Sequence, residues 1–172
     1  GIASVMLIRR IASNVFSPVR GTIAGWLSLL YFPLAFSCLK LLPETLSIFF
    51  MSLFLYFATH PKLLDSIWRL ALFGLWGGLL VLARAQTAPM VALLIAFAPF
   101  LGRPGRKGAK AAQLWLPPVF FALLPVFSWG TVNLARTGDF FVSPPNGGIT
   151  FYQGNNSNSR GTYTQIAGVS DD

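Results

Sequence analysis

Residues 70–102 form a run of thirty-three with a single charge, Arg84. As one straight helix this run would be about 50 Å long, against a hydrocarbon core of about 30 Å. Gln86, Thr87 and Pro89 follow Arg84 and supply a break. The expected arrangement is therefore two short apolar spans, 70–84 and 87–102, meeting at the arginine.

Composition points the same way. Hydrophobic residues make up 54% of the 172, charged residues 10%, and mean hydropathy is +0.62. Soluble domains carry about 25% charged residues. The chain is too apolar to be disordered, and its composition argues against a soluble enzyme. Its net charge of +8 comes from thirteen Lys and Arg set among Leu and Phe. That pattern suits the cytoplasmic flanks of membrane helices better than a nucleic-acid surface. One cysteine, Cys38, excludes an internal disulfide and a Cys-based metal cluster, and one histidine, His60, excludes a multi-His site. No metal, cofactor or nucleic-acid partner is expected.

Three further spans are read from the chain. Residues 21–39 are nineteen without a charge, with Pro33 inside. Pro43 and Glu44 then suit the start of a new helix, which runs 44–59 and closes at His60-Pro61-Lys62. After the basic loop of Arg103, Arg106, Lys107 and Lys110, a last span occupies 112–132, with kinks expected at Pro117-Pro118 and Pro125. The apolar start up to Arg9-Arg10 reads as the end of an earlier helix, so the chain is expected to be a fragment. The expected fold is an all-α membrane bundle of five spans plus the end of an earlier one, over 1–135, with a small irregular or β outer segment over 136–172.

Charge sets the expected orientation. With Arg9, Arg10, Arg20, Lys62, Arg69, Arg103, Arg106, Lys107 and Lys110 inside, the outside holds Lys40, Arg84, Arg136 and Arg160. This satisfies the positive-inside rule. Trp26, Trp68 and Trp129 fit interfacial anchoring. In the tail, Phe140-Phe141-Val142 and Ile149-Thr150-Phe151-Tyr152 read as short strands about a Pro/Gly turn.

A few residues could carry chemistry. A charge in mid-membrane costs about 2.5–3.5 kcal/mol on insertion scales and usually faces a cavity or partner. Arg84 could hold a phosphate, which its planar fork suits, or it could sit at a helix end and snorkel. Lys40 could assist it, or anchor the end of a span. Glu44 could bind a cation, a base or a sugar hydroxyl, or simply favour the helix start. Asn155 and Asn156, after Gly154, could bind sugar hydroxyls or serve only the turn.

These residues resemble a family. The stretch Val132-Asn133-Leu134-Ala135-Arg136-Thr137-Gly138-Asp139-Phe140, followed by Asn146-Gly147-Gly148-Ile149-Thr150-Phe151-Tyr152-Gln153-Gly154-Asn155-Asn156, is similar to one in the membrane glycosyltransferases related to protein O-mannosyltransferases and aminoarabinose transferases. Gly161-Thr162-Tyr163, Leu41-Leu42-Pro43-Glu44-Thr45-Leu46 and the run from Gly74 to Arg84 resemble further family motifs in the family's order. Ala83, Ala85 and Thr150 depart from it, standing where Thr, Pro and Asn are common.

The resemblance implies a membrane glycosyltransferase of the plasma (bacterial inner) membrane, with its C-terminal segment outside. It would move a sugar from a polyprenyl-phosphate donor to an acceptor glycan, lipid or protein at the outer face. It implies Arg84 and Lys40 on the donor phosphate, Glu44, Asn155 and Asn156 lining the acceptor side, and a catalytic Asp upstream of Gly1, which leaves this chain inactive alone. A transporter or flippase-like protein, or a multi-span protein without catalysis, is the alternative. The transporter reading expects a paired inverted repeat, and none is found.

Overall fold

The computed structural model describes residues 1–39, 43–101, 111–142 and Asn155. Its helices are α1 Ile2–Val15, α2 Pro18–Leu30, α3 Phe32–Leu39, α4 Pro43–Ala58, α5 Ile67–Ala83, α6 Ala88–Leu101 and α7 Ala111–Thr137. Two short 3-10 turns, Leu63–Asp65 and Ala85–Thr87, join α4 to α5 and α5 to α6. Among the described residues there is no strand.

Local chemistry accounts for the breaks. Ser17 is extended, accepts a hydrogen bond from the Arg20 N–H at 3.4 Å and caps α2, with Pro18 at its first position. Tyr31 leaves helical geometry (φ −73°, ψ 97°) and Pro33 falls in the first turn of α3. Inside a continuous helix Pro33 would leave the Leu29 carbonyl without a donor and would clash with it. In the first turn neither cost arises. The chain therefore answers this proline with two helices, of 13 and 8 residues, in place of the span expected over 21–39.

This is one part of a larger correction. Helices α4, α5 and α6 have 16, 17 and 14 residues. At 1.5 Å per residue they measure about 24, 25 and 21 Å, short of a core of about 30 Å. Among the described residues only one helix is long and apolar enough to cross a membrane, the 24-residue stretch Leu114–Thr137 of α7, with mean hydropathy 1.5. Among the described residues the structure is thus an all-α assembly of seven helices with one such helix, and the five-span bundle is not what forms. Only the run 21–39 is interrupted, before Pro33; α4, α5 and α6 fill the runs expected over 44–59, 70–84 and 87–102, but at 14–17 residues they are too short to span. The strand expected at Phe140-Phe141-Val142 is also absent; these residues are irregular. The strand expected over 149–152 lies outside the described residues.

Helix α5 is the centre of the packing. Phe54 and Phe73 stack at 4.6 Å with their planes 5° apart, and Phe50 lies 5.9 Å from Trp76. These pairs make α4 and α5 antiparallel. Leu63, Leu70, Leu80, Val91, Ile95 and Ala98 complete the core around them. On another face of α5, Gly74 and Gly78 meet the backbone of α7. A methyl at Gly74 would strike Pro118, and one at Gly78 would strike Ala122 and Pro125. The equal steps from 74 to 78 and from 118 to 122 make α5 and α7 parallel. Small residues four apart allow this close approach between helices. Pro117, Pro118 and Pro125 all lie within α7, which continues through them.

Helices α1 and α2 form a second close pair, an antiparallel hairpin. Side chains at Gly21 and Gly25 would run into Ser13 and Arg9 of α1. Gly21 and Gly25 are again four apart and buried. α1 also packs along α4, which joins the hairpin to the rest.

Candidate functional site

Arg84 ends α5. Its N–H donates to the Leu80 carbonyl at 2.9 Å, and its own carbonyl accepts from the Thr87 N–H at 2.9 Å and the Thr87 hydroxyl at 2.7 Å. Its Nε donates to Gln86 Oε1 at 3.5 Å. The residue is exposed and extended (φ −154°, ψ 93°). A cation there faces the negative end of the helix dipole, which favours it. Arg84 therefore stands at a helix end. Among the described residues, Gln86 is its side-chain hydrogen-bond partner.

A cavity of about 430 Å³ opens beside it, between α1, α4 and α5. Ile11, Val15, Ile48, Met51 and Leu80 give it apolar walls, Arg84 and Ser47 border it, and the Thr87 hydroxyl there is taken by the Arg84 carbonyl. Ser52 also lines it, but its hydroxyl donates to its own helix at Ile48, 2.7 Å away. The arrangement is an apolar trough with one cation. It can accept a hydrocarbon chain and hold an anion next to it.

The other sequence-chosen residues fall as follows. Antiparallel packing brings Glu44, in the first turn of α4, to the same end of the molecule as Arg84. Glu44 is exposed, and the Arg84 side chain bonds to Gln86 and not to it. Asn155 is exposed. Lys40 and Asn156 lie outside the described residues. The sequence does not single out Gln86, Thr87 or Ser47 for this site. Gln86 and Thr87 read there only as helix breakers, and nothing in the sequence alone places Ser47 beside Arg84.

The C-terminal end of α7 reaches this same end of the molecule, because α7 runs parallel to α5. There the chain turns back. Gly138 adopts φ +82°, a conformation that glycine takes at no steric cost, and its N–H donates to the Leu134 carbonyl at 2.9 Å. Phe140 then lies over Gly130, with its ring 6.1 Å from that of Phe127. The buried Asn133 donates Nδ2 to the Phe141 carbonyl at 2.7 Å. The Asn133 to Phe140 stretch, which carries part of the family resemblance, thus turns Phe140 and Phe141 back onto α7.

At the opposite end of α5, the turn from α4 carries His60, Lys62, Asp65 and Arg69. The Lys62 N–H donates to His60 Nδ1 at 3.1 Å, and Arg69 Nη1 donates to the Lys62 carbonyl at 2.9 Å. Burial, then the charges of Arg69 and Lys62, hold the His60 imidazole below its ordinary 6.5, while Asp65 opposes them. Among the described residues no group of three His, Cys, Asp or Glu could hold a metal ion.

Compared with known proteins, the chain matches no family model, no curated protein and no solved structure.

Proposed function

We propose that this chain is the membrane-embedded part of a glycosyltransferase that takes a sugar from a polyprenyl-phosphate donor and passes it to an acceptor at the outer face of the membrane. The observation that carries this reading is the apolar trough between α1, α4 and α5 with Arg84 beside it. A prenyl chain matches the trough, and the guanidinium matches the phosphate that leaves the sugar. Glu44, at the same end, would meet the acceptor. Lys40, Asn155 and Asn156 enter the proposal from the motif resemblance alone. No catalytic base is assigned within the chain.

The proposal sets the protein in the plasma (bacterial inner) membrane, crossed by α7. A buried core helix of a soluble protein could pass the same length and hydropathy test, but only 22% of the α7 window is buried. Arg103, Arg106, Lys107 and Lys110 precede α7, and Arg136 stands at its end. The positive-inside rule then runs α7 outward, which sets Arg84 and the turn at Gly138 toward the outer face.

The test is Arg84→Ala in the intact gene product, assayed for transfer of labelled sugar from polyprenyl phosphate in isolated membranes. Loss of one charge-stabilising contact to the leaving group is expected to lower transfer by about a hundredfold at unchanged protein level. Transfer at the parental rate would overturn the reading and favour a role in transport or assembly.

A further inference from the structure

A second cationic cavity stands apart from Arg84. It measures about 720 Å³ and lies between α1 and α4, lined by Arg9, Arg10 and Ser13 together with Met6, Phe49 and Leu53. Phe49 and Leu53 are in the middle turns of α4, so the two guanidiniums stand beside the apolar body of the molecule and not beyond its end. Neither has an acid close in the chain: the acidic residues of the described segments are Glu44, Asp65 and Asp139, and none is on α1 or α2.

Arg9 is also held in place. A methyl at Gly25 would come within 3.2 Å of the Arg9 Cβ and 3.6–3.7 Å of its Cγ and Cδ, so the Arg9 stem lies on the bare backbone of α2. The Ser13 hydroxyl donates to the Arg9 carbonyl at 2.8 Å. Both arginines are exposed and line one cavity, and no acid on α1 or α2 neutralises them. An anion in this cavity would meet cationic lining, and the neighbouring Met6, Phe49 and Leu53 would accept hydrocarbon.

We propose that Arg9 and Arg10 form a site for an anionic glycerophospholipid, with its phosphate on the guanidiniums and an acyl chain along Met6, Phe49 and Leu53. The inference rests on the membrane location but not on sugar transfer. It separates from the Arg84 trough in residues and in test. The charged phosphate gives the selection for anionic over zwitterionic lipid, and the apolar flank gives the preference for a lipid over a free anion.

The experiment is purification of the intact protein into nanodiscs of phosphatidylcholine, with and without phosphatidylglycerol. Lipid retained after detergent extraction is counted by native mass spectrometry, and the thermal unfolding midpoint is read in each disc. Wild type is expected to retain phosphatidylglycerol and to unfold at a higher temperature in its presence. Arg9→Gln with Arg10→Gln is expected to cut retention by at least about tenfold and to remove the thermal increment, leaving the phosphatidylcholine midpoint unchanged. Lys62→Gln, at the far end of α4, is expected to keep both. No retained phosphatidylglycerol in wild type overturns the proposal without any variant, and so covers the case in which the double variant does not fold. An equal loss in Lys62→Gln would show general surface attraction and overturn it too. So would an equal thermal increment from inorganic phosphate in phosphatidylcholine discs, which would show a free-anion site. Sugar transfer enters none of these readouts.

Discussion

Helices α5 and α7 lie side by side, run in the same direction and are both strongly apolar, yet they live in different surroundings. α5 is enclosed by α4, α6 and α7, and buries Leu70, Ala71, Phe73, Gly74, Gly77, Gly78 and Leu80. α7 meets α5 on one side and leaves Leu116, Phe120, Leu123 and Phe127 exposed on others. Hydropathy cannot separate the two cases. What separates them is the small-residue face of α5, where missing side chains let the α7 backbone approach, against the large apolar residues that α7 turns outward. In a membrane protein both faces are expected to be apolar, since lipid is as greasy as a core. Packing between helices is then decided by shape.

The strongest way to break this comparison is to remove a large side chain from each helix. Phe73→Ala takes one ring from the stacked pair with Phe54 and is expected to cost about 4 kcal/mol, as truncation of a buried aromatic does. Phe120→Ala on the outward face of α7 is expected to cost under about 0.5 kcal/mol. Denaturation of the purified protein in micelles measures both. Equal losses would mean that α7 is as enclosed as α5.

A somewhat smaller effect sharpens the contrast in shape. Gly78→Leu adds volume where α5 meets the carbonyl of Ala122 and the ring of Pro125. Rigid backbone on the far side cannot give way as a flexible side chain could. The expected loss is about 3 kcal/mol, with α7 pushed away from α5. A cysteine pair engineered across the two helices should then crosslink more slowly than in the parent. Undiminished stability and crosslinking would show that the helices do not depend on this contact.

The smallest effect concerns the polar turn that leads into α5. His60 titrates below its ordinary value in the folded chain, so the unfolded chain binds the proton more readily. Stability is therefore full above pH 6.5 and declines as pH falls through 6.5 toward the lower folded value. The effect is modest, because the group is near the surface and screened by solvent. His60→Gln should flatten this part of the stability profile. A histidine variant with an unchanged pH slope would assign the effect to another group.

Part of this fold stands in the sequence. Pro43 and Glu44 mark the start of α4, and the Arg84-Ala85-Gln86-Thr87 stretch marks the break between α5 and α6, because both depend on local backbone chemistry. The spacing of Gly21 with Gly25, and of Gly74 with Gly78, also signals close helix contacts, a signal that counting apolar residues does not register. Counting uncharged residues misleads at Pro33, where one missing N–H divides an apolar run that contains no charge to mark the division. It misleads again at Phe140-Phe141-Val142. A β-prone triplet there is held as irregular chain by contacts with Gly130 and Asn133, eight to ten residues back.

The candidate site divides in the same way. Arg84 is conspicuous in the sequence because it interrupts thirty-three residues that are otherwise uncharged. Its neighbours are not, since the trough is assembled from α1, α4 and α5, with walls more than sixty residues apart in the chain. The sequence by itself determined that the protein is apolar, helical and broken at Pro43 and at Arg84, because those properties follow from residue type and from neighbours a few positions away. Only the tertiary structure decided which apolar face is enclosed, which glycine meets which backbone and which cation borders a cavity. Those outcomes depend on the fit of distant surfaces, and residues of equal hydropathy fit differently.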